Sequence, residues 1–357
     1  MIFTKFLMPR EYTSSNQVVE LPANFRHYLL KETIGRGPNS IVKVCINQTD
    51  KSKLAIKIVP LGADRSEQAI EKLTKPLKVV TSLSHLNILE VYDFFVEGDF
   101  FIIVMELCSK GSLYSMIVEK GSLSEQAARP IIRQICSALS YLHSMKFVLR
   151  SLDLSNVLLT DDYIVKLSNF GNIHILVQHM LLTSQCGSPL FAPPEVVRNE
   201  PYDGIYFDIW SLGVLLYTAV AGVLPWSDTN PKTVLQQISR AEFKLPTSFS
   251  LLLQDLIISI LVVDPSKRIS VEGIIRHPWF TLSDRKPVGR RTTEQLFNQN
   301  PSSLSLKDGG QSTRHLTNNT NSSIVLLPSL KSKDRSNSVQ SSASKLSLPK
   351  KSRPKML

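Results

Sequence analysis

The sequence predicts an α+β protein in which a small antiparallel sheet with one helix precedes a larger, mainly helical region. Three observations carry this. Apolar residues alternate with polar ones between turn signals from Tyr28 to Met105, the period of half-buried strands. Beyond Ser112 the apolar spacing turns helical. The chain of 357 residues, 43% hydrophobic, is long enough to bury a core for one two-lobed domain or two ordinary ones.

Residues 1–26 carry no clear pattern and read as an N-terminal extension. From Tyr28 to Val59 the spacing predicts three antiparallel strands. The first turn holds Gly35-Arg36-Gly37, and the second holds Asp50-Lys51-Ser52. Glu67 to Ser84 has helical periodicity, but Pro76 lies inside it and is expected to break or delay the helix. Ile88 to Met105 predicts two further strands around the hairpin Glu97-Gly98-Asp99. Ser112–Met116, Glu125–His143 and Asp208–Val223 read as successive helices. Ile209 to Trp226 is apolar enough for a membrane span, but it lacks basic flanks and reads as a helix buried in a large domain, so no transmembrane segment is expected.

The formal charge is +11, and fourteen Lys and Arg against four Asp and Glu after residue 280 place +10 of it in the tail. The preceding part is therefore nearly neutral, and no nucleic-acid partner is expected. Residues 282–357 are rich in Ser, Asn and Lys, lack periodicity and are expected to be disordered. The final PKKSRPK run suits a solvated tail, a nuclear signal, a docking site or an acidic-lipid contact. Cys45, Cys108, Cys136 and Cys186 are far apart in sequence, without zinc spacing, which suggests a reducing compartment and a cytoplasmic protein, with nuclear entry through the tail as the alternative.

Phe147 to Gly171 reads FVLRSLDLSNVLLTDDYIVKLSNFG. It resembles the catalytic core of a eukaryotic protein kinase, where H-R-D-L-K-x-x-N precedes a strand pair and D-F-G. Leu149, Arg150 and Ser151 fall on H-R-D, Asn156 on the loop Asn, and Asn169-Phe170-Gly171 on D-F-G. Further matches occur in order. Gly35 and Gly37 precede Val42, and Leu54-Ala55-Ile56-Lys57 resembles V-A-I-K. Met105-Glu106-Leu107-Cys108 resembles the hinge, Pro193-Pro194-Glu195 resembles A-P-E, and Asp208-Ile209-Trp210-Ser211-Leu212-Gly213 resembles a helix start with an acidic N-terminus. Cys186-Gly187-Ser188-Pro189, Glu200-Pro201-Tyr202 and His277-Pro278-Trp279-Phe280 resemble the calmodulin-dependent and AMP-activated group of Ser/Thr kinases.

The resemblance implies a bilobal kinase domain over 27–281, with a small lobe 27–107 and a large lobe 108–281. It implies ATP in the cleft, with Gly35, Gly37 and Lys57 on its phosphates, Val42, Ala55 and Leu158 around adenine, and Glu106 and Cys108 as hinge. In the family the loop Asn and the D-F-G Asp hold Mg²⁺, so Asn156 and Asn169 are the metal positions, and Ser151 with Asn156 stands in the catalytic loop. Val80, Val91, Leu149 and Phe170 match an apolar stack joining the lobes, and Glu195 and Arg268 match a buried ion pair. Ser184 matches the activating phosphosite, with Thr183 beside it, implying an upstream kinase and docking of the phosphate on Arg150.

The departures fall on the chemistry. Phosphoryl transfer requires a group that accepts the substrate proton and metal ions that neutralise phosphate charge. Ser151 is no carboxylate, Asn156 and Asn169 are neutral, and Mg²⁺ prefers carboxylate oxygen. Pro76 stands where the carboxylate partner of Lys57 is expected, and Glu71 is more than a helical turn away. Ser40 replaces a third glycine, and Ser112 and Ser155 replace acidic residues that read basic substrates, so no basic preference is expected. The sequence thus points to a Ser/Thr-kinase-like protein with impaired catalysis, a nucleotide- or partner-binding regulator or scaffold with weak ATP binding. Two alternatives stand beside it: an active kinase that uses Asp153 as a displaced base, and an adaptor working through the basic tail.

Overall fold

The computed structural model describes residues 13–14, 17–18, 21–37, 39–62, 64–178 and 180–281. The tail over 282–357 lies outside the described residues. Two short strands, β1 (Thr13–Ser14) and β2 (Gln17–Val18), pair with each other. The main sheet begins with β3 (Asn24–Phe25), then β4 (Tyr28–Gly37), β5 (Ser40–Asn47) and β6 (Lys53–Pro60). After helix α1 (Glu67–Val80) come β7 (Val91–Glu97) and β8 (Phe100–Met105), in the order β3-β4-β5-β6-β8-β7, with every pair antiparallel.

The sheet reaches back to Asn24, because Phe25 is 2% exposed and packs edge-on against Phe100 at 5.6 Å. One expectation, about Pro76, is corrected here. Pro76 does not break α1, which continues to Val80. The proline removes one intrahelical donor, a cost of about 3 kcal/mol in an isolated helix. Ser66 caps the start through the Ala69 N–H, and Leu77 and Val80 bury themselves beyond the proline, so tertiary packing holds the last turn.

The large lobe is built from α2 (Leu113–Lys120) and α3 (Glu125–Ser144), the short strands β9 (Phe147–Val148), β10 (Val157–Leu159), β11 (Val165–Leu167) and β12 (His174–Ile175), and then α4 (Pro194–Val197) and α5 (Gly204–Ala221). α6 (Pro231–Arg240), α7 (Leu251–Ile260), α8 (Val271–Arg276) and α9 (Pro278–Thr281) complete it. The α+β class with an antiparallel small lobe and a helical large lobe is as expected.

Among the described residues one helix, α5, is long and apolar enough to cross a membrane, and 78% of it is buried inside the protein. It starts at Gly204 under an Asp203 cap, not at Asp208. Asp208 is instead wholly buried and accepts from the backbone N–H groups of Leu149 and Arg150 at 2.9 and 2.7 Å, with His143 Nε2 at 2.9 Å. Its carboxylate fixes the catalytic-loop backbone, the partner that an internal carboxylate requires. The bridging segment between the lobes is tied in the same way, since the Leu89 N–H donates to Leu167 and the Leu167 N–H to Asn87.

Candidate functional site

Strand register brings the small-lobe residues together. Gly35 lies opposite Val42, Val42 opposite Lys57, and Lys57 opposite Ile103, so the glycine turn and the lysine share one cross-strand row. Ala55 and Lys57, two residues apart, share a face of β6. Ser40 sits against Gly37, where an added Cβ would lie 2.7 Å from its hydroxyl.

Lys57 is half-buried, and among the described residues no carboxylate comes within the 4.0 Å of an ion pair. Burial alone pushes its ammonium below the usual lysine value. Glu71 is exposed and Pro76 supplies no charge, so no residue of α1 pairs with it.

At the hinge, the Glu106 carbonyl and the Cys108 N–H make no protein hydrogen bond among the described residues, as an adenine edge requires. The Glu106 side chain is held by Lys166 at 2.9 Å, a pair missed in the sequence because a lysine in a short strand reads as a solvated face. Burial, and then the Glu106 charge, push the Cys108 thiol up to about 12. Leu158 lies in β10, bridged to Ser112.

The large-lobe residues also converge. Ser151, 3% exposed, donates its hydroxyl to the Asn169 carbonyl at 2.9 Å and approaches the Leu149 carbonyl at 3.3 Å. Asn156 donates Nδ2 to the Ser151 carbonyl at 2.7 Å and to Asp153 Oδ2 at 3.0 Å, which leaves its amide oxygen for another partner. Asn169 is exposed in a left-handed conformation (φ 61°), one that asparagine tolerates better than most residues.

Asp153 accepts from the N–H groups of Ser155 and Asn156 at 2.8 and 3.1 Å as well as from the Asn156 amide. Burial raises its carboxyl above the ordinary range, while those hydrogen bonds pull it down. Its oxygens are engaged within the loop.

Arg150, buried, donates to the Asn172 carbonyl, to Ser184 Oγ at 2.8 Å and to Tyr202 Oη at 3.0 Å. The Tyr202 hydroxyl in turn donates to the Ser184 carbonyl at 2.7 Å. No local pattern in Glu200-Pro201-Tyr202 announces that role. Thr183 is exposed beside this cluster. Glu195 and Arg268 form a buried bidentate pair at 2.8 and 2.7 Å, as the sequence implied.

These residues fit an adenine nucleotide and do not fit Mg²⁺. Among the described residues the hinge groups are unpaired and Lys57 is a cation without a counterion. The metal positions offer amide oxygens only, and among the described residues no three His, Cys, Asp or Glu side chains converge on a metal site.

The family described as "Protein kinase domain" matches residues 28–280. The human NUAK family SNF1-like kinase 1 is 38% identical over 266 residues, which is 74% of this chain and 40% of that protein. Serine/threonine protein kinase OSK3 of Oryza sativa subsp. indica is 37% identical over 72% of this chain and 51% of its own length. The SNF1-related protein kinase catalytic subunit alpha KIN12 of Arabidopsis thaliana is 36% identical over 75% and 53%. The chain spans about half the length of the curated relatives it matches. It belongs to the eukaryotic protein kinase superfamily, in the SNF1-related, AMP-activated group of Ser/Thr kinases.

Proposed function

We propose that this kinase-fold chain is catalytically impaired, a pseudokinase that binds a nucleotide or a protein partner and acts as a regulator or scaffold. The observation that carries this is Ser151. At the position of the proton acceptor stands a hydroxyl that donates to the Asn169 carbonyl and has no basicity at neutral pH.

Lys57, without a carboxylate partner among the described residues, and the neutral Asn156 and Asn169 support the same reading. A displaced base at Asp153 would first have to release three N–H donors. The framework, by contrast, is complete: Glu195–Arg268 anchors the activation segment and Asp208 holds the loop. Such a scaffold retains a surface that phosphorylation at Ser184 or Thr183 by an upstream kinase can reshape.

The test is transfer of labelled γ-phosphate by the purified full chain, to itself and to a Ser/Thr peptide library, with Mg²⁺ and with Mn²⁺, beside Lys57→Met. No transfer by folded protein is the expected result. Transfer that Lys57→Met abolishes would overturn the proposal in favour of an active kinase.

A further inference from the structure

We propose that the cleft takes an adenine nucleotide as the metal-free polyanion, in preference to its Mg²⁺ complex. This rests on the nucleotide-binding reading above and adds the form of the ligand.

The charges around the cleft carry it. Lys57 is half-buried, aligned with the glycine turn, and has no carboxylate within ion-pair distance among the described residues. A buried cation without a counterion is costly, and an entering phosphate relieves that cost. The two positions that would receive a dication hold amides. Asn156 spends its Nδ2 within the loop, and Asn169 adds only a neutral oxygen.

Asp153, the loop carboxylate, is half-buried and engaged by Ser155 and Asn156. A nucleotide-bound Mg²⁺ would find an amide at Asn169, where the family places its metal carboxylate, while the oxygens of Asp153 are already committed to Ser155 and Asn156. The free nucleotide keeps the negative charge that the metal would cancel, and so is attracted more strongly to Lys57.

The experiment is calorimetric titration of the full chain with ATP, in EDTA and in excess Mg²⁺, for the wild type, Lys57→Met and Asn169→Asp, each checked for folding by circular dichroism. The wild type is expected to bind in EDTA and to bind about tenfold more weakly in Mg²⁺. Lys57→Met is expected to lose about tenfold or more of the EDTA affinity. Asn169→Asp, which restores a carboxylate at an exposed position, is expected to reverse the metal preference.

Wild-type binding that requires Mg²⁺, or is tighter with it, overturns this inference while leaving nucleotide binding in place. EDTA binding that survives Lys57→Met also overturns it. No heat and no thermal shift in either buffer overturns both the inference and the nucleotide-binding reading on which it rests.

Discussion

The Ser151 hydroxyl donates to the Asn169 carbonyl at 2.9 Å, joining the catalytic loop to the Asn-Phe-Gly turn. Ser151 is 3% exposed and also faces the Leu149 carbonyl, so its site is lined by acceptors and suits a donor. A carboxylate of the family type is an acceptor only when ionised, and in this pose it would face two oxygens.

Ser151→Asp alone is therefore expected to destabilise the protein by about 1–3 kcal/mol and to yield no phosphotransfer. Combining it with Asn169→Asp and Pro76→Glu returns the acceptor, the metal carboxylate and a partner for Lys57. This triple variant is expected to show Mg²⁺-dependent transfer in a labelled-phosphate assay. A triple variant that is folded and inert would show that other departures, such as Asp153 and Ser40, also block the chemistry.

Lys57→Met is expected to raise the denaturation midpoint of the nucleotide-free protein in urea. Burial lowers the Lys57 pKa in the folded state, so that state binds the proton less tightly than the unfolded chain. Stability contributed by this group is missing at neutral pH and returns as pH rises through the lowered folded pKa toward the ordinary lysine value. Methionine removes the penalty at neutral pH. A lower midpoint would mean that Lys57 has a compensating partner.

Breaking the Glu195–Arg268 pair by Arg268→Met is expected to cost about 3–5 kcal/mol, because a buried carboxylate is left uncompensated. Replacing both partners with apolar residues is expected to cost far less than the two single changes together. A double-mutant cycle in chemical denaturation measures the difference.

Gly187→Ala is expected to unseat the activation segment. Gly187 has φ +74°, and an added Cβ would lie 2.7 Å from the Arg150 carbonyl, a backbone atom that cannot rotate away. The left-handed conformation alone costs about 1–2 kcal/mol. Faster limited proteolysis between residues 176 and 190, with the large-lobe core still protected, is the expected result.

Phosphorylation of Ser184 is expected to stabilise the folded protein by about 2 kcal/mol, since Arg150 already lies 2.8 Å from its oxygen. Thermal melting of phosphorylated and unmodified protein measures the gain, and Arg150→Met should abolish it. Phosphorylation at Thr183, which makes no hydrogen bond to Arg150, is expected to stabilise less.

The sequence by itself determined the α+β class, the five long strands and first helix of the small lobe, and which residue types stand at the chemical positions. Those properties are local: period-two alternation, turn glycines, and the identities at 151, 156 and 169. The Glu195–Arg268 pair was also legible, through a resemblance rather than through any local rule.

Tertiary structure decided what local rules cannot weigh. Pro76 remains inside α1 because Leu77 and Val80 find a core. Phe25 joins the sheet because it meets Phe100. Asp208, read as a helix start, is a buried clamp because α5 begins four residues earlier. The environments of Lys57, Asp153 and Arg150 are set by residues far away in sequence, brought close by folding. Charge compensation is a property of distance in space, and spacing along the chain does not contain it.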